Sequence, residues 1–160
     1  MMRIILEAWD NKKDTLLKTI YNLNDFNSIC YKDLVKLAFD EVYNAYLNDT
    51  HQKSLRVDTQ KIHEIDDGDY QGTYLYIIPR DIYQPLCSEY LMTTVEYGSC
   101  SGCDALQAIV SRYNLYMKGQ TISEECAKEI LTLCRDILCN TVRPFNKGVY
   151  YDSMYDNVEY

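Results

Sequence analysis

Tyr90-Leu91-Met92-Thr93-Thr94-Val95-Glu96-Tyr97-Gly98-Ser99-Cys100-Ser101-Gly102-Cys103-Asp104-Ala105-Leu106 joins three different signals in one stretch. An apolar, β-branched run comes first, then a corner of glycines and serines, then the start of a helical pattern. It reads as strand, tight turn and helix, with two thiols at the helix start. The strand is 90–97. The glycines are expected to supply unusual φ values, and Asp104 is a suitable N-cap because its short carboxylate can accept from the first free amides. Leu106, Ile109, Val110, Tyr113 and Met117 continue as a helical stripe, with Gly119 as the expected stop.

Upstream of the corner the hydrophobic period is two. Gln60-Lys61-Ile62-His63-Glu64-Ile65 alternates, and so does Gly72-Thr73-Tyr74-Leu75-Tyr76-Ile77-Ile78. Between them, Asp66-Asp67-Gly68-Asp69 predicts a hairpin, because Asp and Gly tolerate positive φ at the central turn positions. Both parities of 72–78 are apolar or aromatic, which predicts a strand that is central or covered on both faces. Pro79 and Pro85 bound a loop, since neither can donate to a ladder.

Outside this block the period becomes helical. Leu16, Leu17, Ile20 and Leu23 share one face, while residues 1–9 read equally as a short strand or a first helical turn. Tyr31, Leu34, Val35, Ala38, Val42, Ala45 and Tyr46 form the stripe of a second helix. Thr121-Ile122-Ser123-Glu124 has capping-box spacing and predicts a last helix with Cys126, Ile130, Leu133, Cys134, Ile137 and Leu138 on one side. The sum is an α+β fold: a central antiparallel sheet of three or more strands, flanked by N- and C-terminal helix pairs. One domain spans 1–160, with 148–160 as an acidic, Tyr-rich tail.

The net charge of −8 argues against gripping a phosphate backbone, which needs clustered Lys and Arg, and favours contact with a basic surface on a partner. Sixteen tyrosines among 160 residues is about three times ordinary usage, and tyrosine offers large contact area at low entropic cost. No apolar run reaches the length of about 18 residues that a membrane span needs. Met1–Leu6 is too short an apolar stretch for a leader, with Glu7 following at once. The expected setting is therefore a reducing cytosol, where seven cysteines are thiols, metal ligands or core filling.

Cys100-Ser101-Gly102-Cys103 invites two chemical readings. A Cys-x-x-Cys pair at a helix start suits dithiol redox work, because the helix dipole stabilises a thiolate. That arrangement also wants parallel βαβ units, whereas the pattern here is a hairpin sheet, and Asp104 would repel a thiolate. A structural zinc would use Cys100 and Cys103 as one ligand pair but needs a second pair, and no other two cysteines or histidines have the spacing. Otherwise the corner is a structural turn built on Gly98, Cys100, Gly102 and Cys103. The acids around 64–69 lack the order of a calcium loop and suit turn formation. No phosphate loop, dinucleotide fingerprint, nucleophile elbow or zinc-protease motif is present, so no catalytic residue and no cofactor is assigned.

Three runs carry a resemblance: Ile65-Asp66-Asp67-Gly68-Asp69-Tyr70-Gln71-Gly72-Thr73; then Ile78-Pro79-Arg80-Asp81 and Tyr83-Gln84-Pro85; then Tyr97-Gly98-Ser99-Cys100-Ser101-Gly102-Cys103-Asp104-Ala105-Leu106-Gln107-Ala108-Ile109. In them, over about residues 30–110, the chain resembles a group of small uncharacterised bacteriophage proteins. That group has no established activity, so the resemblance implies an origin. By analogy it implies a non-enzymatic phage accessory protein in the host cytosol that binds and blocks a host factor, such as a CRISPR or nucleotide-signalling defence. The expected partner is a host protein with a basic surface, with no direct nucleic-acid or membrane contact. A second possibility is a nucleotide-signal sponge, stacking bases on tyrosines and seating phosphate at the helix start. The residues expected to meet the partner are Asp66, Asp67, Asp69, Tyr70, Tyr97 and Asp104, and in the tail Tyr151, Asp152, Tyr155, Asp156 and Glu159.

Overall fold

The computed structural model describes residues 1–143. The chain opens with α1 (Met2–Tyr21), which settles the ambiguous residues 1–9 as helix and buries Ile5, Ala8, Leu16 and Ile20. α2 (Tyr31–Ala38) runs through a π-helical turn (Phe39–Asn44) into α3 (Ala45–Asp49), and both junctions keep right-handed helical backbone. This composite helix ends on His51, whose φ of 58° is left-handed. The amide of Gln52 then reaches back to the Leu47 carbonyl at 2.8 Å, the bond of a Schellman stop. Buried Asn44 ties the following segment to the helix. Its amide donates to the Val57 carbonyl and its oxygen accepts the Val57 amide, both at 2.9 Å.

The sheet is an antiparallel meander of β1 (His63–Asp66), β2 (Gly72–Pro79) and β3 (Tyr90–Tyr97), in the order β1-β2-β3. Tyr74 faces Val95, Tyr76 faces Thr93 and Ile78 faces Leu91 across the β2–β3 register. These residues share the face that the helices cover. β2 is central, as its doubly apolar pattern predicts. A single bridge between Met92 and Val142 extends the free edge of β3.

The hairpin forms where expected, but without positive φ at its Asp-Gly pair. The loop between β1 and β2 has five residues, 67–71, and Gly119 is the only described glycine with positive φ. Asp66 Oδ1 accepts the Gly68 amide at 3.0 Å, and Asp67 Oδ1 accepts the Thr73 amide at 2.6 Å. Two carboxylates thus close a wider loop, doing by side-chain hydrogen bonds what positive φ would do in a tighter one.

Beyond the corner, α4 (Ala105–Arg112) is shorter than its stripe suggests. Asn114, not Gly119, is the left-handed stop, with φ 54°, and the Leu115 amide bonds the Val110 carbonyl at 3.0 Å. α5 (Glu124–Cys139) starts on Ser123 and not on Thr121, since the Ser123 hydroxyl accepts the Cys126 amide at 3.2 Å. Cys126 and Cys134 sit fully buried on its inner face beside Ile130, Ile137 and Leu138. Thr93 Oγ1 donates to the Ile137 carbonyl at 2.7 Å and anchors α5 to β3. The core lies between this helical layer and the Tyr76–Ile78–Leu91 face of the sheet.

Candidate functional site

The corner is organised by Asp104. Its side chain is only 5% exposed, and its two oxygens take three protein donors. Oδ1 accepts the Gln107 amide at 2.9 Å, as an N-cap should, and also the Tyr31 hydroxyl at 2.9 Å. Oδ2 accepts the Gly98 amide at 3.0 Å. The Tyr31 hydroxyl in turn accepts the Leu106 amide at 3.0 Å. Asp104 therefore joins α2, the end of β3 and the start of α4. Expected as a partner contact, it is instead largely buried and its carboxylate is taken up by these bonds. The same bonds occupy the Leu106 and Gln107 amides, so phosphate does not find them free.

Gly98 and Gly102 are not in the left-handed region, contrary to expectation. Gly98 is needed for close approach: a Cβ there would lie 2.5 Å from Cys103 Sγ and 2.6 Å from its carbonyl oxygen. At Gly102 an added Cβ would meet only Cys100 Sγ, at an ordinary 3.7 Å. Gly98→Ala should accordingly lower stability by about 1–3 kcal/mol through backbone displacement, whereas Gly102→Ala should fall within about 0.5 kcal/mol of the parent. Urea unfolding of the two variants checks this; equal midpoints would refute it.

Cys100 and Cys103 are exposed, with their sulfurs 3.1 Å apart. The Cys103 thiol is held below its ordinary value, first by the hydrogen bond with the Cys100 thiol and then by the Cys100 backbone. Among the described residues no third His, Cys, Asp or Glu joins them in a group fit to hold a metal. The described strands pair only antiparallel, so the parallel βαβ frame of a thioredoxin-type site is not formed by them.

The corner forms one wall of a cleft of about 800 Å³. The 26–31 segment, Tyr74 and Tyr76 of β2, Tyr97 of β3 and the first turns of α4 also line it. Tyr74 is the hub of the aromatic lining. It stacks on Tyr97 with ring centroids 4.3 Å apart, and lies 5.9 Å from Tyr76 and 6.3 Å from Tyr31. Tyr70, 83% exposed, and Tyr116, 60% exposed, add to the lining. Among the described residues, the carboxylates in the lining are Glu64, Asp69 and Asp104, and no Lys, Arg or His lines it.

The phenols of this cluster differ sharply in what they bond. Tyr97 donates to Asp66 Oδ1 at 2.5 Å, which raises its own pKa and lowers that of Asp66. Burial raises the Tyr31 pKa, with Asp104 adding to it. Tyr76 is fully buried, yet its hydroxyl has no hydrogen-bond partner among the described residues. Burial, and after it the nearby Glu64 carboxylate, raises its pKa. Glu64 faces Tyr76 across the β1–β2 register without reaching hydrogen-bond geometry.

Of the expected contact residues, Asp69, Tyr70, Tyr97 and Asp104 line this cleft, Asp104 with its carboxylate engaged in the bonds described above. Asp66 and Asp67 are instead engaged in closing the hairpin loop and holding Tyr97. Tyr151, Asp152, Tyr155, Asp156 and Glu159 lie outside the described residues. Tyr31, Tyr74 and Tyr76 also line the cleft, although in the sequence they read only as core. Their shared parity in β2 and the lone Tyr at the start of α2 are the signals available; nothing local shows that the two meet. Comparison of the chain with family models, with curated proteins and with solved structures finds no match.

Proposed function

We propose that this protein acts by non-catalytic binding, receiving a basic surface of another protein on its acidic, tyrosine-rich cleft side. The observation that carries this reading is the composition of the cleft: tyrosines and carboxylates, with no basic side chain in the lining among the described residues. Such a surface attracts cations and repels phosphates. The resemblance to phage proteins supplies the biological setting, that of an accessory protein occupying a host defence factor, including one with a basic nucleic-acid groove. A nucleotide sponge is the weaker reading, because the α4 amides that would hold phosphate are already bonded to Asp104 and Tyr31.

The test is capture from bacterial host lysate, followed by titration of the purified captured protein. Asp69→Asn with Tyr70→Ala is the informative pair, since neither residue has a described side-chain hydrogen bond that folding depends on. Binding is expected to fall about tenfold in that variant and to weaken steadily as salt rises. Removal of 148–160 tests the tail acids and tyrosines separately. Retention that neither salt nor any of these changes affects would overturn the reading. So would turnover of a substrate that depends on Cys100 or Cys103.

A further inference from the structure

We propose that the tyrosine cleft is a receptor for a single guanidinium, so that the partner is anchored by one inserted arginine side chain. This rests on the binding reading above and names the group that the site takes. Three observations converge on it.

The first is charge. Glu64 and Asp69 line the cleft, and no basic residue is among its described lining, so a cation entering it meets attraction. The second is shape. The Tyr74–Tyr97 stack lines the cleft, and the outer face of such a stack is a plane on which a guanidinium lies flat. A lysine ammonium is a compact, strongly hydrated charge that gains less from such faces. The third is an unmet polar atom. The Tyr76 hydroxyl is buried against the cleft without a partner among the described residues, although a buried phenol normally has one.

A hydroxyl accepts as well as donates, and the Glu64 carboxylate stands across the register from it. One N–H of a fork can go to the carboxylate and a second to the phenol oxygen as the Tyr76 side chain shifts to uncover it, leaving the planar cation stacked on tyrosine. An anion satisfies none of this, because it would meet Glu64 and Asp69 first.

The probe is N-acetyl-arginine amide, with the lysine and citrulline amides as controls, followed by NMR of labelled tyrosine. Citrulline keeps the shape of arginine and removes its charge. The arginine amide is expected to shift Tyr74, Tyr76 and Tyr97 saturably, the lysine amide to bind at least several-fold more weakly, and citrulline to leave them unmoved. Glu64→Gln and Tyr76→Phe should each weaken the arginine amide about fivefold to tenfold. Tyr76→Phe should also melt no lower than the parent, because its hydroxyl has no hydrogen-bond partner among the described residues.

Equal binding of citrulline and arginine would overturn the proposal. So would arginine shifts that Tyr76→Phe leaves intact, or adenosine monophosphate moving these tyrosines while arginine does not. A partner captured through Asp69 and Tyr70 while the arginine amide fails to bind would sink this inference and leave the binding reading standing. Saturable arginine binding without any captured partner would do the reverse.

Discussion

Asp104→Ala is expected to lose about 3 kcal/mol or more of folding stability, a large share of what a domain of this size possesses. The loss has two sources. Removing the N-cap acceptor costs about 1 kcal/mol. The Tyr31 hydroxyl and the Gly98 amide, both bonded to the same carboxylate, are then left buried without acceptors, at about 1–3 kcal/mol each where no water reaches them. Urea unfolding gives the number, and a double-mutant cycle with Tyr31→Phe separates the parts. Tyr31→Phe made in the Asp104→Ala background should cost less than in the parent, because its hydroxyl has already lost its acceptor. A midpoint for Asp104→Ala within about 0.5 kcal/mol of the parent would mean that the corner is not held through this residue.

The second large effect is alkaline lability. Burial pushes the Cys126 thiol up to about 11 and the Cys134 thiol up to about 12, from an ordinary 9.0. It likewise raises the phenols of Tyr31, Tyr43 and Tyr76 above their ordinary 10.0. In each case the fold favours the protonated, neutral form. The stability they lend is complete below the unfolded-state values. It begins to fall near pH 9.0 as unfolded thiols ionise, and falls faster above 10.0 when unfolded phenols follow. Each proton that the fold keeps and the unfolded chain releases steepens the loss by about 1.4 kcal/mol per pH unit. Denaturant midpoints measured from about pH 8 to pH 11 should therefore drop steeply, and Tyr76→Phe should flatten the decline by about one proton's share. A midpoint that stays level across that range would show that these groups are not sequestered as described.

These effects come from contacts between distant parts of the chain, and this is where the sequence was least informative. The strand 90–97 was legible to the residue, because its bounds are set locally by alternation and by the glycine corner that follows it. The helix start at Asp104 was equally clear, since an N-cap is a relation between neighbours. The stops were less so: Asn114 and His51 end helices in left-handed conformations that glycine more often supplies. The hairpin was placed correctly between its strands but forms without the positive φ expected of its Asp-Gly pair, because Asp66 and Asp67 act through their side chains.

The sequence by itself determined the alternation of periods, and with it the α+β class, the central place of β2 and the Asp104 cap. It could not show that Tyr31, at the head of a helix, comes to rest against Asp104, Tyr74 and Leu106. That meeting depends on how the helical layer settles on the sheet, an outcome of packing over the whole core. The same packing turned Asp104 from an apparent surface acid into a buried tie. It also gathered scattered tyrosines into one acidic cleft and left the Tyr76 hydroxyl inside it without a partner among the described residues. A cleft is a property of surfaces brought together, and no local pattern encodes it.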